Sequence, residues 1–158
     1  MKDILIGCCA YQGKPFNEVW IETLLHTTQH LRDRVDIVFV DNGCTDGTKE
    51  ALAPLVADVS LGITYKQYPE NMGICTGWNA ILDHGWPQYE FVGVMNNDIA
   101  FGEGWLDSML EQFERYPLVG RMHTSSSDED EFNAWRNHRV VPDTKEQVYE
   151  MLTKSYGS

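Results

Sequence analysis

The order of its apolar runs constrains most strongly what this 158-residue chain can fold into. "ILIGCCA" (4–10) is an unbroken apolar run, the signature of a strand buried on both faces. "DIVFV" (36–40) is a β-branched run of strand type. "ITYKQY" (63–68) alternates with period two, and "YEFVGVM" (89–95) reads as a fourth strand. Segments of helical period lie between and after them. "NEVWIETLLHTTQHLRD" (17–33) spaces Trp20, Leu24 and Leu31 as a helix does. "TDGTKEALAPLVA" (45–57) opens with capping residues and carries Pro54, which predicts a kink or an early end. "GICTGWNAILDHG" (73–85) ends in glycine. "GEGWLDSMLEQFERY" (102–116) aligns Trp105, Leu106, Met109, Leu110 and Phe113. Strands that alternate with helices require crossover connections. They predict a three-layer α/β/α arrangement around a mostly parallel sheet.

With 42% hydrophobic residues the chain can bury one core, and its length suits one domain spanning 1–158. Residues 1–120 form its core and 121–158 a looser C-terminal part. There a Ser run and an acid run predict a loop near 123–131, followed by a short element at 132–136. A last helix is predicted in "PDTKEQVYEMLTKSYGS", capped by Asp143 with Glu146 three residues on. The net charge of −12 argues against a nucleic-acid partner and against an anionic membrane surface. Cys8, Cys9, Cys44 and Cys75 make no C-x-x-C pair and read as structural thiols of a reducing compartment. The N-terminal apolar run is short for a signal peptide, and no stretch reaches the ~20 apolar residues of a membrane helix. A soluble, cytoplasmic protein is the expectation.

In parallel α/β sheets ligands bind outside the carboxyl ends of the strands. Here those ends read Ala10-Tyr11-Gln12, Asp41-Asn42-Gly43, Pro69-Glu70-Asn71 and Asn96-Asn97-Asp98. A carboxylate such as Asp98 at that edge can bind a cation, accept from a sugar hydroxyl, or cap the following turn. Asn96 and Asn97 offer donors and acceptors that suit hydroxyl groups. Mg²⁺ or Mn²⁺ takes few protein ligands, so one Asp suffices when a diphosphate completes the shell. Asp41 can accept the N–H of a ring imide such as uracil or thymine, or it can cap the next helix in competition with Thr45 and Asp46. Gly73 and Gly77, where a helix begins, permit close backbone approach and leave amides for an anion. Neither a G-x-G-x-x-G run nor a Gly-Lys-Ser/Thr phosphate loop is present, which disfavours dinucleotide oxidoreductases and P-loop phosphotransferases.

Four segments, in order, carry a family resemblance. They are the first strand ending "AYQ", then "VDNGCTDGT", "NMGICTGWNAIL" and "MNNDIAFGEGWLDSMLEQFERYPLVG". Together they cover about residues 3–120. The chain resembles the family-2-type glycosyltransferases of GT-A fold, whose α/β domain binds nucleotide-diphospho-sugars. Its Asn-Asn-Asp is similar to that group's variant of the D-x-D motif. The resemblance implies that Tyr11, between Ala10 and Gln12, holds the nucleobase with Asp41. It implies that Asn71, Gly73 and Asn79 lie by the diphosphate and sugar. Asn96 and Asn97 would face ribose or sugar hydroxyls, and Asp98 would bind Mn²⁺ or Mg²⁺. The implied reaction is metal-dependent, inverting sugar transfer from a UDP or dTDP donor to a glycan, lipid, protein or small-molecule acceptor.

The chain departs from that pattern in its C-terminal part. Members usually run well past 200 residues, and their second half supplies the acceptor site, a catalytic carboxylate and often a metal-binding His. The only later acid cluster is Asp128-Glu129-Asp130-Glu131. Asp130 is the candidate base there, against a solvated acidic loop. His123 and His138 are candidate metal ligands, whereas His26 and His30 lie on a helix away from the strand ends. A different reading is a degenerate or partner-dependent nucleotide-sugar binding module, and a homo-oligomer could complete its acceptor site. A nucleotidyltransferase shares the sheet architecture, but "AYQGKPF", with its single Lys14, matches its basic loop poorly.

Overall fold

The structure is a computed structural model. It describes residues 2–116, 118, 120–122 and 142–155, the last five of these by backbone alone. Four parallel strands form one sheet in the order β3-β2-β1-β4. β1 (Ile4–Ala10) is central and fully buried. It pairs with β2 (Val35–Asp41), Ile4 opposite Val35 and Ala10 opposite Asp41. On its other side lies β4 (Phe91–Met95), Ile4 opposite Phe91 and Cys8 opposite Met95. β3 (Ile63–Gln67) pairs with β2, Ile37 opposite Ile63. The chain thus steps outward from β1 to β3, then returns to the far side of β1. The direction of winding reverses between β1 and β4, the place where open parallel α/β sheets hold their ligands, at the carboxyl ends.

The period of two along β1 sorts its side chains onto two layers. Ile4, Ile6, Cys8 and Ala10 join one core cluster with Trp20, Ile21 and Leu24 of α1 (Lys14–Thr27), Leu52 of α2 (Thr48–Ala57) and Leu106 of α4 (Trp105–Arg115). Leu5 and Cys9 join the other with Ile81 of α3 (Ile74–Gly85). Burying each such Ile, Leu or Phe contributes roughly 1.5–3 kcal/mol. α5 (Lys145–Ser155) lies against α1, where Val148 is buried and Lys145 Nζ meets Glu22 Oε1 at 2.7 Å. The predicted three-layer α/β/α architecture is the observed one.

α3 sits unusually close to the sheet. A Cβ at Gly77 would collide with Cys9 Sγ, and one at Gly7 with the Ile81 side chain. Gly77 is therefore a packing residue, not the anion cradle expected of it. Gly73 keeps that possibility, since it caps α3 at φ 83° with open space around it.

Other boundaries moved for local reasons. α1 starts at Lys14, because Gly13 takes a left-handed turn and Pro15 suits a helix's first turn. It ends at Thr27 rather than near 33. The Thr27 and Thr28 hydroxyls donate to the Thr23 and Leu24 carbonyls at 2.8 and 2.7 Å, and Leu31 falls in a separate 3₁₀ turn, Gln29–Leu31. α2 starts at Thr48, whose amide and hydroxyl both donate to Asp46 Oδ1. It runs on past Pro54 to Ala57, so the early end does not occur. In α5 the cap is one residue later than expected: the Gln147 amide donates to Thr144 Oγ1, and Gln147 Oε1 accepts the Asp143 amide at 2.7 Å.

Candidate functional site

The carboxyl ends of β2 and β3 are joined through the side chain of Asp41. Its side chain is buried at the end of β2. One carboxylate oxygen accepts the Cys44 amide at 2.6 Å, which folds the Asn42–Cys44 turn. The other accepts the Tyr65 hydroxyl and, at 3.3 Å, Gln67 Nε2. Tyr65 is held in place by stacking on Phe39, 5.7 Å between ring centroids. Burial first, then its bond to Asp41, pushes the Tyr65 phenol far up. Asp41 faces inward in this structure, and three donors occupy its oxygens. The Gln67 bond is the longest of the three, and Gln67 is itself exposed.

Just outside Asp41 lies an open depression of about 400 Å³, lined by Gly43, Cys44, Thr45, Gln67, Tyr68 and Pro69. Gly43 makes it possible. Its φ is +83°, and a Cβ there would come within 2.5 Å of the Glu70 carbonyl carbon. Cys44 Sγ accepts the Gln12 amide at 3.1 Å and donates to the Ala10 carbonyl at 3.6 Å. Burial and the neighbouring Asp41 raise the Cys44 thiol to about 12, so it stays protonated and serves as a hydrogen-bonding node.

The β3–α3 loop is tied to the same edge by amides. Asn42 is buried, donates to Asn71 Oδ1 at 3.0 Å and accepts the Met72 amide at 2.9 Å. Asn71 Oδ1 also accepts the Gly73 amide at 2.9 Å. Asn71 therefore shapes the loop that leads into α3, whose first-turn amides have no intrahelical acceptor. Asn79 is exposed, two residues beyond Gly77, and so points to the side of α3 opposite the sheet. The structure does not bring Asn79 to the strand ends.

The β4 end has a divided role. Asn97 is half-buried and turned inward: its Nδ2 donates to Asn17 Oδ1 at 2.8 Å and lies 3.5 Å from the Gln12 carbonyl. Its neighbours Asn96 and Asp98 are exposed. Gln12 is likewise part of the frame. It holds a left-handed φ of 61°, and its side-chain amide both accepts from the Thr45 amide and donates to the Thr45 hydroxyl, each at 3.1 Å. Ala10 is buried in the core. Tyr11 directly follows β1 and is 52% exposed.

Three predicted residues that follow β1 and β4 are thus exposed: Tyr11, Asn96 and Asp98. Gly73 caps α3, the helix packed over β1 and β4. Among the described residues no group of three or more His, Cys, Asp or Glu could hold a metal ion. A hard cation at this edge would have one protein carboxylate to bind, Asp98, and would take the rest of its shell from ligand oxygens and water. His26 and His30 face Glu103 and Asp107 at 3.1 and 2.9 Å, away from the strand ends, and His30 lies in the 3₁₀ turn beyond α1. Asp130, His123, His138, the acid cluster and the 132–136 segment lie outside the described residues. Two residues had no sequence signal as site elements. Asn17 and Gln67 act through partners 18 to 80 positions distant along the chain, apart from Gln12.

A parallel sheet of order β3-β2-β1-β4 with helices on both faces and polar residues at its carboxyl ends is an α/β fold of the GT-A class. Residues 15–157 match the model of glycosyl transferase family 2, and the chain belongs to that family. Its fold superposes on the mannosyltransferase PcManGT from Pyrobaculum calidifontis, solved with GDP-Man and Mn²⁺. The TM-score is 0.65 at 19% identity, over 87% of this chain and 39% of that one. It also superposes on residues 1–349 of S. aureus TarS in complex with UDP, with a TM-score of 0.61 at 16% identity, over 82% and 40% of the two chains. In sequence it is 28% identical over 141 residues to N-acetylglucosaminyl-diphospho-decaprenol L-rhamnosyltransferase of Mycobacterium tuberculosis. That match spans 82% of this chain and 43% of the relative, so the chain spans under half the relative's length. No described helix is long and apolar enough to cross a membrane.

Proposed function

We propose that the protein transfers a sugar, with inversion, from a UDP or dTDP donor to an acceptor, using Mn²⁺ or Mg²⁺ at Asp98. The observation that carries this reading is the spacing of the edge. The depression lies at the ends of β2 and β3, and the exposed Asp98 follows β4. From β3 to β4 is three strand spacings, roughly 14 Å. A ligand that uses both ends is elongated, with a flat group at one end and charge that needs a cation at the other. A nucleoside-diphosphate sugar has that shape and that order of groups.

In this reading the base enters the depression, held by Tyr11 and Asp41. Its imide N–H reaches Asp41 by displacing Gln67 Nε2, the weakest of the three donors. Asn71 and Gly73 hold the loop that offers α3's first-turn amides to the diphosphate. Asn96 accepts from or donates to hydroxyls of the ribose or sugar. A bound cation at Asp98 supplies charge neutralisation for the departing nucleoside diphosphate. The acceptor hydroxyl needs a base within about 3 Å, and Asp130 is the residue assigned that task. Residues 121–158 form the acceptor side, and the cytoplasm is the proposed location.

The test is release of nucleoside diphosphate from UDP-, dTDP- and GDP-sugars in the presence of Mn²⁺ and pooled glycan, lipid and peptide acceptors. Release of UDP or dTDP with a labelled product supports the reading; release from GDP-sugars alone overturns the donor assignment. The alternative reading is donor binding here, with transfer only when a partner chain completes the acceptor site. Donor binding without turnover by the isolated chain would select it.

A further inference from the structure

We propose that Asn17 is a positioning residue that sets the direction of Asn96 and Asp98; the proposal rests on the donor-site reading above. Asn17 is fully buried in the first turn of α1. Both of its amide hydrogens are used, one on the Gln12 carbonyl at 3.1 Å and one on Thr48 Oγ1 at 2.9 Å. Its Oδ1 accepts Asn97 Nδ2 at 2.8 Å. One side chain therefore joins the β1–α1 loop, the start of α2 and the end of β4.

The network fixes the orientation of each amide. Thr48 Oγ1 donates to Asp46 Oδ1 at 2.7 Å, so it must accept from Asn17. Asp46 Oδ2 in turn accepts the Lys14 amide at 2.7 Å. With its nitrogen committed to two acceptors, Asn17 can present only oxygen to Asn97. Asn97 is the middle residue of Asn96-Asn97-Asp98, and its neighbours are the exposed pair. Holding the middle side chain inward is what leaves the flanking two outward. Only Asn combines two donors and one acceptor at this reach: Asp lacks the donors, and Leu lacks all three.

The test compares Asn17→Ala, Asn97→Ala and the double variant. Three readouts are taken: thermal midpoint, backbone order parameters without ligand, and UDP affinity with and without Mn²⁺. A merely structural Asn17 would lower the midpoint and leave the other two unchanged. The positioning role predicts order parameters at 96–98 falling from about 0.85 to below about 0.6, with β1 unaffected. It predicts about tenfold weaker UDP binding in Mn²⁺ for each single variant, no further loss in the double variant, and no change without Mn²⁺. Unchanged order parameters at 96–98, or additive affinity losses, would overturn it. If Asn17→Ala does not fold, the half-buried Asn97→Ala carries the order-parameter test alone. If the wild type binds no nucleotide at all, the donor-site reading fails, while the order parameters still decide the role of Asn17.

Discussion

Asn42, at the end of β2, and Asn71, before α3, are bonded side chain to side chain at 3.0 Å. Through this pair the strand that floors the depression and the loop that starts α3 move as one body. Asn42 is buried and also accepts the Met72 amide. Truncation to alanine leaves those partners without it, at a cost of about 1–3 kcal/mol. Urea unfolding of Asn42→Ala should show that loss, with the denaturant slope unchanged.

Gly43 and Gly73 both have positive φ, yet they should respond differently to alanine. At Gly43 the new Cβ meets the Glu70 backbone at 2.5 and 2.7 Å as well as the left-handed penalty. Gly43→Ala should lose more than the ~1–3 kcal/mol that backbone strain costs alone, and close the depression to nucleotide. Gly73→Ala meets nothing within 4 Å and carries only the conformational strain at φ 83°, ψ 154°. Its cost should lie within about 1–3 kcal/mol. Gly102, open and with no left-handed φ, is the neutral control.

The pattern of elements was legible because it depends on near neighbours. The β-branched and apolar runs placed all four strands to within two residues, and β1 without error. The site was legible only in outline. The position of Asp98 follows from strand order, and the residue is exposed there. Gln12, Asp41 and Asn97 also stand at strand ends, but their side chains are consumed by Thr45, Tyr65 and Asn17. Those partners are 24 to 80 positions away, and no local pattern announces them. Gly77 misled for the same reason. The sequence spacing near a helix start is the same whether a glycine admits an anion or, as here, Cys9.

The cysteines should differ sharply in reactivity. Burial raises the thiols of Cys8 and Cys9, and burial with Asp41 raises Cys44 to about 12. Cys75 is exposed at the start of α3. Timed labelling with a maleimide at pH 8 should modify Cys75 first, and the other three only at the rate of opening. Early modification of Cys44 would contradict the hydrogen-bonding role given to it.

Asp46 predicts an acid dependence. Burial works to raise its carboxyl, but bonds from the Thr48 hydroxyl and the Lys14 and Thr48 amides outweigh that and bring it below 3.8. A depressed folded-state value stabilises fully above the unfolded value and is lost as pH falls through the folded one. The difference in urea midpoint between wild type and Asp46→Asn should therefore be constant from about pH 8 to about pH 5, then shrink below about pH 4. A difference that grows toward acid pH has the wrong sign for this assignment.

The central claim concerns one exposed carboxylate at the switch between β1 and β4. Calorimetric titration of UDP, dTDP and GDP, each with and without Mn²⁺, on wild type and Asp98→Asn tests it most directly. The account predicts Mn²⁺-dependent binding of UDP or dTDP by the wild type. In Asp98→Asn the Mn²⁺ dependence disappears and the thermal midpoint stays the same, because Asp98 is exposed. Equal Mn²⁺-dependent affinity in both proteins would place the cation elsewhere. Absence of binding to every nucleotide would remove the donor site from this edge altogether.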